Sequence, residues 1–417
     1  MNQRQLGPVL LSGLMIGPVL GSGIILLPPV AYRQIGQFAM AAWLIMMGLG
    51  AVFAAIFAKL SLVFPGSEGV SVAVRKAFGP SVGQVASNYI ISAVCVGPVA
   101  VLMTASDMIA RTFLLPPQWL PLISGGLLFL CLVMLLREIT AVGKIAFVAS
   151  SAVAVILLVG SGVTIAIDHA PAMTGGAFEP VRFGHTLLLL FWAIVGWEIL
   201  GNYSAEVRTP RKTIPRAAIL SVAVISGIYL LVACAIERTG LPGGDVTVAD
   251  IITPLLGRYS TVILAGITTA LCTCTYLMIA GGIARLIHSL ASDGRLPSGL
   301  AYRNRNSAPG AAIFLLAGMH LVVLLLLSLG MIRLEQVIAF ANVFFLSNAL
   351  LCIAAAMRLL DSALLRVGGG MLCAGFMILL LFSDPWIIGL MIGETLVTLR
   401  RGGRKPLHGV GRSLHSQ

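Results

Sequence analysis

Two stretches of this 417-residue chain set glycine, proline and polar side chains inside otherwise apolar sequence. The first is Gly17-Pro18-Val19-Leu20-Gly21-Ser22-Gly23-Ile24. Glycine costs about 1 kcal/mol in a helix interior and proline about 3. Their concentration here favours a break in the backbone. At Gly21-Ser22-Gly23 the missing side chains let a ligand approach the freed N–H groups. A half-helix beginning there presents a positive dipole end, which suits a carboxylate. Glycine also serves close helix packing, so this stretch alone leaves both readings open. The second stretch adds weight. It reads Phe191-Trp192-Ala193-Ile194-Val195-Gly196-Trp197-Glu198-Ile199-Leu200-Gly201-Asn202, again with a glycine mid-way and now with an acid beside it. Two roles stand open for Glu198. Low dielectric disfavours its charge, which suits a reversible proton carrier; a fixed structural carboxylate bonded to backbone at the break is the other.

Such breaks need a setting that tolerates them. The chain is 58% hydrophobic and 10% charged, with a mean hydropathy of +1.01. A soluble domain carries about 25% charged residues. Lipid solvates apolar side chains directly, and the apolar stretches are long enough to cross a hydrocarbon core of roughly 30 Å. They lack the alternation of a membrane β-barrel. The sequence predicts an all-α membrane protein with twelve spans: 8–31, 38–64, 82–113, 119–136, 144–168, 185–203, 216–236, 258–287, 309–328, 335–358, 367–383 and 386–400. Unpaired backbone cannot face lipid, so the two breaks are expected to line a polar cavity or a ligand. They fall in spans one and six. Paired interruptions in corresponding positions point to inverted repeats with a site at the midplane. The first five-helix repeat is expected over 1–168 and the second over 185–358. Five is odd, so the second copy is inverted. Helices eleven and twelve over 367–400 form an appendage, followed by a basic cytoplasmic tail over 401–417.

The net charge of +12 is read as membrane topology, with no nucleic-acid partner. With the N-terminus inside, 21 of the 27 Lys and Arg residues fall on the cytoplasmic side, as positive-inside bias requires. Both termini are therefore expected in the cytoplasm. The basic tail is free to touch anionic headgroups. The short basic start followed by Leu6–Leu20 is read as the first span; no small-residue cleavage site closes it. The seven cysteines all lie in apolar stretches and are read as small hydrophobes, with no disulfide and no metal.

Three segments then resemble the amino acid–polyamine–organocation (APC) transporters. Gly21-Ser22-Gly23-Ile24-Ile25 with Pro28 is similar to that family's first-helix glycine motif. The stretch from Phe191-Trp192 to Glu198, running into Glu206-Val207-Arg208-Thr209-Pro210 and Ile214-Pro215-Arg216-Ala217, is similar to its sixth helix and following loop. Ala284-Arg285 with Ala291-Ser292-Asp293-Gly294-Arg295-Leu296-Pro297 resembles its loop after helix eight, and Pro65-Gly66-Ser67-Glu68-Gly69 the loop after its second helix. Within the family, the length and sixth-helix wording look most like the bacterial branch that exports methionine and branched-chain amino acids.

The resemblance implies a LeuT-type 5+5 inverted-repeat fold with two further C-terminal helices, working by alternating access in the bacterial inner membrane. It implies no cofactor. Its substrate would be a neutral hydrophobic amino acid (methionine, leucine, isoleucine or valine), and its coupling ion a proton, with sodium as the alternative. The substrate would bind at Gly21, Ser22, Gly23 and Ile24, its carboxylate meeting the amides around Ser22, Gly23 and Ile24. The ammonium would meet carbonyls near Phe191, Ala193 and Val195, beside Gly196. Trp192 or Trp197 would serve as an aromatic gate. Some proton-coupled relatives carry a lysine mid-way along helix five; here that position falls near Ser150-Ser151, which leaves Glu198 as the leading proton carrier.

Other polar residues have plainer roles. Asp107 and Arg111 stand at i,i+4 spacing and read as a structural ion pair. His320 reads as a hydrogen-bonding or packing histidine. Asn342 could line the cavity or bond across helices. Thr268, Thr269, Thr273, Thr275 and Tyr276 make span eight locally polar, either as self-bonded threonines or as ligands for sodium or substrate. Glu394 reads as an interface residue. Glu206, Arg208, Arg211 and Arg285 read as solvated topogenic charge, with cytoplasmic gate pairs as the alternative.

Rival functions lack their signatures. There is no P-loop, and Gly21-Ser22-Gly23 does not follow a strand, so a dinucleotide enzyme is not supported. A channel needs a ring of like residues or a filter loop. A non-transporting sensor or assembly partner on the same fold stays open, as does import or exchange in place of export.

Overall fold

Backbone N–H and C=O groups in hydrocarbon must pair within their own segment, and a chain this apolar meets that demand with helices throughout. The computed structural model describes residues 7–64, 71–137, 142–167, 177–197, 207, 209–239, 246–360 and 362–402. These contain no β-strand. In order they form α1 (Pro8–Leu20), α2 (Gly23–Ile35), α3 (Ala39–Val63), α4 (Ser71–Phe78), α5 (Pro80–Val96), α6 (Pro98–Thr112), α7 (Leu120–Leu136), α8 (Val142–Ile167) and α9 (Pro180–Leu190). After a short 3-10 turn, Phe191–Ile194, follow α10 (Pro210–Thr239), α11 (Val248–Leu256), α12 (Ser260–Ser292), α13 (Gly310–Ser328), α14 (Leu334–Leu359), α15 (Ala363–Leu381) and α16 (Pro385–Gly402).

Among the described residues, eight helical stretches are long and apolar enough to cross a membrane, and two shorter apolar helices accompany them. The chain is thus a multi-pass membrane protein. Its lipid-suited faces are plain in α7 and α13, where Leu122, Phe129, Phe314, Leu321, Val322 and Leu325 are exposed.

The helices run past the apolar stretches from which they were predicted. α12 continues through the exposed Arg285 to Ser292, and α10 begins at Pro210 and carries Pro215 inside its first turns. Two short helices escaped the hydropathy pattern. α4 packs on α5, and α11 packs on α8 and α12. α11 has a readable start: the Thr247 backbone N–H and hydroxyl both donate to Asp250 Oδ2 at 2.7 Å, a capping box that satisfies helix-end donors.

The centre of the bundle is ordered by pairs. α3 lies along α10, α5 and α6 lie against α12 and α14, and α1 lies between α8 and α10. Trp43 of α3 stacks on Tyr229 of α10, ring centroids 4.7 Å apart, with both side chains fully buried. The expected Asp107–Arg111 pair forms at 2.7 Å, with both side chains partly exposed. All seven cysteines are free thiols.

His320 joins three helices. Its Nε2 lies 2.7 Å from the Val94 carbonyl of α5, and its Nδ1 lies 2.7 Å from the Tyr276 hydroxyl of α12. A carbonyl only accepts, so Nε2 carries the proton. The neutral ring then leaves Nδ1 to accept from Tyr276. Removing the imidazole strands a buried carbonyl and a buried hydroxyl, at about 1–3 kcal/mol each. His320→Ala should therefore lower the thermal midpoint of the detergent-solubilised protein more than Tyr276→Phe does. The double variant should cost less than the two added together; strict additivity would show that the three groups do not act as a unit.

Candidate substrate site

The two interrupted stretches meet. α1 ends at Leu20, where Gly21 adopts φ 36° and ψ −134°, a conformation that favours glycine. The Gly21 N–H still donates to the Gly17 carbonyl at 2.9 Å. Ser22 then caps α2, its carbonyl accepting from Leu26 N–H at 3.1 Å. Ile25 N–H also donates to the Ser22 carbonyl, at 3.3 Å, whereas the N–H groups of Gly23 and Ile24 precede the first bonds of α2 and have no partner within the helix. Gly21, Ser22, Gly23, Ile24 and Ile25 are all buried.

On the other side α9 stops at Leu190. Phe191, Trp192, Ala193 and Ile194 tighten into the 3-10 turn, Val195 extends (φ −73°, ψ 139°) and Gly196 turns to φ +118°. The end of α9 leaves carbonyls without helical donors. Asn342 of α14 meets them, donating from Nδ2 to the Leu188 carbonyl at 2.7 Å. Asn342 therefore bonds across helices, the second of its two expected roles.

Close approaches fix the crossing. Trp192 donates from Nε1 to Ser22 Oγ at 3.3 Å. A Cβ on Gly196 would sit 3.1 Å from Val19, and one on Gly50 of α3 would sit 2.7 Å from Ile194. A Cβ on Gly23 would lie 2.6 Å from the Tyr229 hydroxyl, which itself donates to the Val19 carbonyl at 3.4 Å. Phe191 turns away from this crossing towards Phe376 of α15, centroids 5.2 Å apart. Trp197 is buried, and its indole N–H has no partner among the described residues. Glu198 lies outside the described residues, as do Glu206, Arg208 and the stretch 65–69. Arg211 and Arg285 are exposed.

A third glycine converges on the same place. The helix of span three runs on from α5 to α6 through Gly97, which keeps helical dihedrals (φ −55°, ψ −44°) and donates to the Ala93 carbonyl at 2.8 Å. A Cβ there would lie 3.0 Å from Ala341 and 3.2 Å from the Trp192 ring. Gly97-Pro98 repeats the Gly17-Pro18 dipeptide of span one and was available as a signal. Tyr229 had no such signal, being a lone tyrosine in an apolar helix.

Chemically, the crossing offers N–H donors and a positive helix end on one side and carbonyl acceptors on the other. Apolar side chains and indoles surround them. On α12, which touches α1, the Thr268, Thr269 and Thr275 hydroxyls are buried without a protein partner among the described residues. The commoner self-bonding of helical threonine does not occur at these positions.

The family model described as amino acid permease matches residues 6–385. The L-methionine/branched-chain amino acid exporter YjeH of Escherichia coli is 25% identical over 390 residues, 92% of this chain and 93% of that protein. The amino acid permease YecA of Bacillus subtilis is 22% identical over 351 residues, 81% of this chain and 80% of that protein. The branched-chain amino acid permease BcaP of Lactococcus lactis is 26% identical over 166 residues, 37% of this chain and 34% of its own length.

The contact at Gly23 yields a paired test. Gly23→Ala places a methyl group against the Tyr229 oxygen and should destabilise the protein by about 1–3 kcal/mol, the usual cost of overpacking. Adding Tyr229→Phe removes that oxygen and should recover part of the loss, read as the thermal midpoint in detergent. No recovery would mean that Gly23 is needed for its backbone conformation rather than for clearance.

Proposed function

The chain belongs to the amino acid permease family, within the APC superfamily, and from that premise we propose that it is a secondary active exporter of neutral hydrophobic amino acids. The family comprises transporters rather than enzymes. The substrates proposed are methionine, leucine, isoleucine and valine, moved by alternating access and coupled to protons. The observation that carries this reading is the crossing of two broken helices at Ser22 and Trp192.

In this reading the substrate lies against Gly21, whose own N–H is held by the Gly17 carbonyl, and its carboxylate meets the amides of Ser22, Gly23 and Ile24. The ammonium meets carbonyls of Phe191, Ala193 and Val195, and Gly196 keeps that backbone bare. Trp192 is the gate, because its ring spans Ser22, Gly97 and Phe345, whereas Trp197 has no described role at the crossing. Ile24, Ile25 and Ile194 line the surroundings with hydrocarbon, and no charged side chain is described there. A cationic substrate would want a further carboxylate and an anionic one an arginine.

The packing supports twelve spans in a 5+5 inverted repeat. α1–α2, α3, α5–α6, α7 and α8 make the first five, α9 with its 3-10 turn, α10, α12, α13 and α14 the second. Members five places apart lie together: α3 with α10, α5–α6 with α12, α7 with α13. The α1–α8 contact has its counterpart in α9–α14, and α8–α12 in α14–α5. α15 and α16 follow as the appendage. In this reading the assembly sits in a bacterial inner membrane, and the excess of Lys and Arg on one side supports both termini in the cytoplasm.

Proton coupling is assigned to Glu198. One observation favours sodium as a second reading: the unpartnered hydroxyls of Thr268, Thr269 and Thr275 on α12, which touches α1.

Cells expressing the protein should retain less labelled methionine and leucine than cells without it. Proteoliposomes should move both under an imposed proton gradient, and Glu198→Gln should flatten the pH dependence of that flux. Higher retention would reverse the direction, dependence on a sodium gradient alone would change the ion, and the absence of flux would leave a non-transporting role.

A further inference from the structure

Glu394 lies half-way along α16, eight residues before the helix ends and thus about 12 Å from it. An ionised carboxylate at such a depth is costly unless paired. Its partner is one hydroxyl: Ser92 Oγ of α5 lies 3.1 Å from Oε1 and 3.0 Å from Oε2. A single hydroxyl has one proton to give, so an ionised Glu394 would keep at most one of these bonds. The same hydroxyl accepts equally well from a carboxylic acid.

The carboxylate belongs to a polar seam. Gln84, Asn88 and Ser92 recur every four residues on one face of α5. Gln84 Nε2 donates to Asn88 Oδ1 at 2.7 Å, and Asn88 Nδ2 donates to Thr398 Oγ1 of α16 at 2.9 Å. Tyr89 and Thr395 share a hydrogen bond beside them. The seam therefore runs from the first turns of α5, the cytoplasmic end in the proposed topology, to the middle of α16.

Nothing described neutralises the charge. α5 presents only Tyr89 and Cys95 as titratable groups. α14, the other helix packed on α16, presents Ser347 at Met391 and holds Cys352, with charge only at its ends in Glu335 and Arg358. On α16 itself the nearest cation is Arg400, six residues on.

We propose that Glu394 is a second proton-binding site of this transporter, filled and emptied along the α5–α16 seam and felt at the substrate site through α5. A proton from cytoplasmic water forms an O–H bond at one Oε; release breaks that bond, and no electrons move. α5 carries the effect because Ser92 stands five residues before Gly97, which abuts Trp192. The inference rests on the transport reading for its coupling to flux, but not for the protonation itself.

Two measurements decide it. Infrared difference spectroscopy across a pH titration of the purified protein should show a carboxylic-acid C=O band that titrates in the wild type, is absent in Glu394→Gln and is shifted in Ser92→Ala. In proteoliposomes Glu394→Gln should reduce the pH response of methionine flux by about fivefold or more, the lower range of ordinary coupling. No titrating band assignable to Glu394, or a Glu394→Gln flux profile that follows the wild type, overturns the proposal. Should Glu394→Gln not fold, an unshifted band in Ser92→Ala overturns it. If the wild type moves no substrate, the transport reading fails and the infrared titration alone decides the proton site.

Discussion

Main-chain polarity inside hydrocarbon is the constraint on which the rest of this structure depends. Each interruption of a helix releases N–H and C=O groups that lipid cannot satisfy. The protein therefore collects its interruptions in one place and brings partners to them. Asn342 reaches from α14 to the carbonyls at the end of α9. Tyr229 reaches from α10 to Val19. Ser22 and Trp192 bond across the gap. The groups that stay unspent, the first amides of α2 above all, are then available to a polar ligand.

Much of this was legible in the sequence because the constraint is written in residue types that are otherwise expensive. Glycine and proline at 17–23, and glycine at 196 beside tryptophan, located both breaks. Hydropathy located the helices, and i,i+4 spacing located the Asp107–Arg111 pair. What escaped depended on distance rather than on pattern. The third span is continuous as read, and what escaped at Gly97 was its clearance, whose meaning lies in the approach of Trp192. Tyr229 and Gly50 matter only through what sits opposite them. α4 and α11 are too short for a hydropathy window, although Thr247 and Asp250 spelled a cap. Nor could the sequence tell whether Asn342 faces a cavity or a neighbouring helix.

A third helical span shapes the crossing beside the two interrupted ones. α1–α2 and α9 supply polar backbone, whereas α5–α6 supplies clearance, with Gly97 admitting the Trp192 ring between α5 and α14. The absence of side chains thus serves two ends here. At Gly21 and Gly196 it permits unusual dihedrals; at Gly23, Gly50 and Gly97 it permits van der Waals contact that a methyl group would prevent.

The imidazole bridge at His320 has a mechanical corollary. One planar ring holds a main-chain oxygen of α5 and a phenol of α12 at fixed separation, from a third helix, α13. Sliding any one of the three past the others would have to break a bond between buried groups. These three helices are consequently tied to one another through a single side chain. α1, α2, α3 and α10 lie outside that clamp, with the Trp43–Tyr229 stack joining the last two.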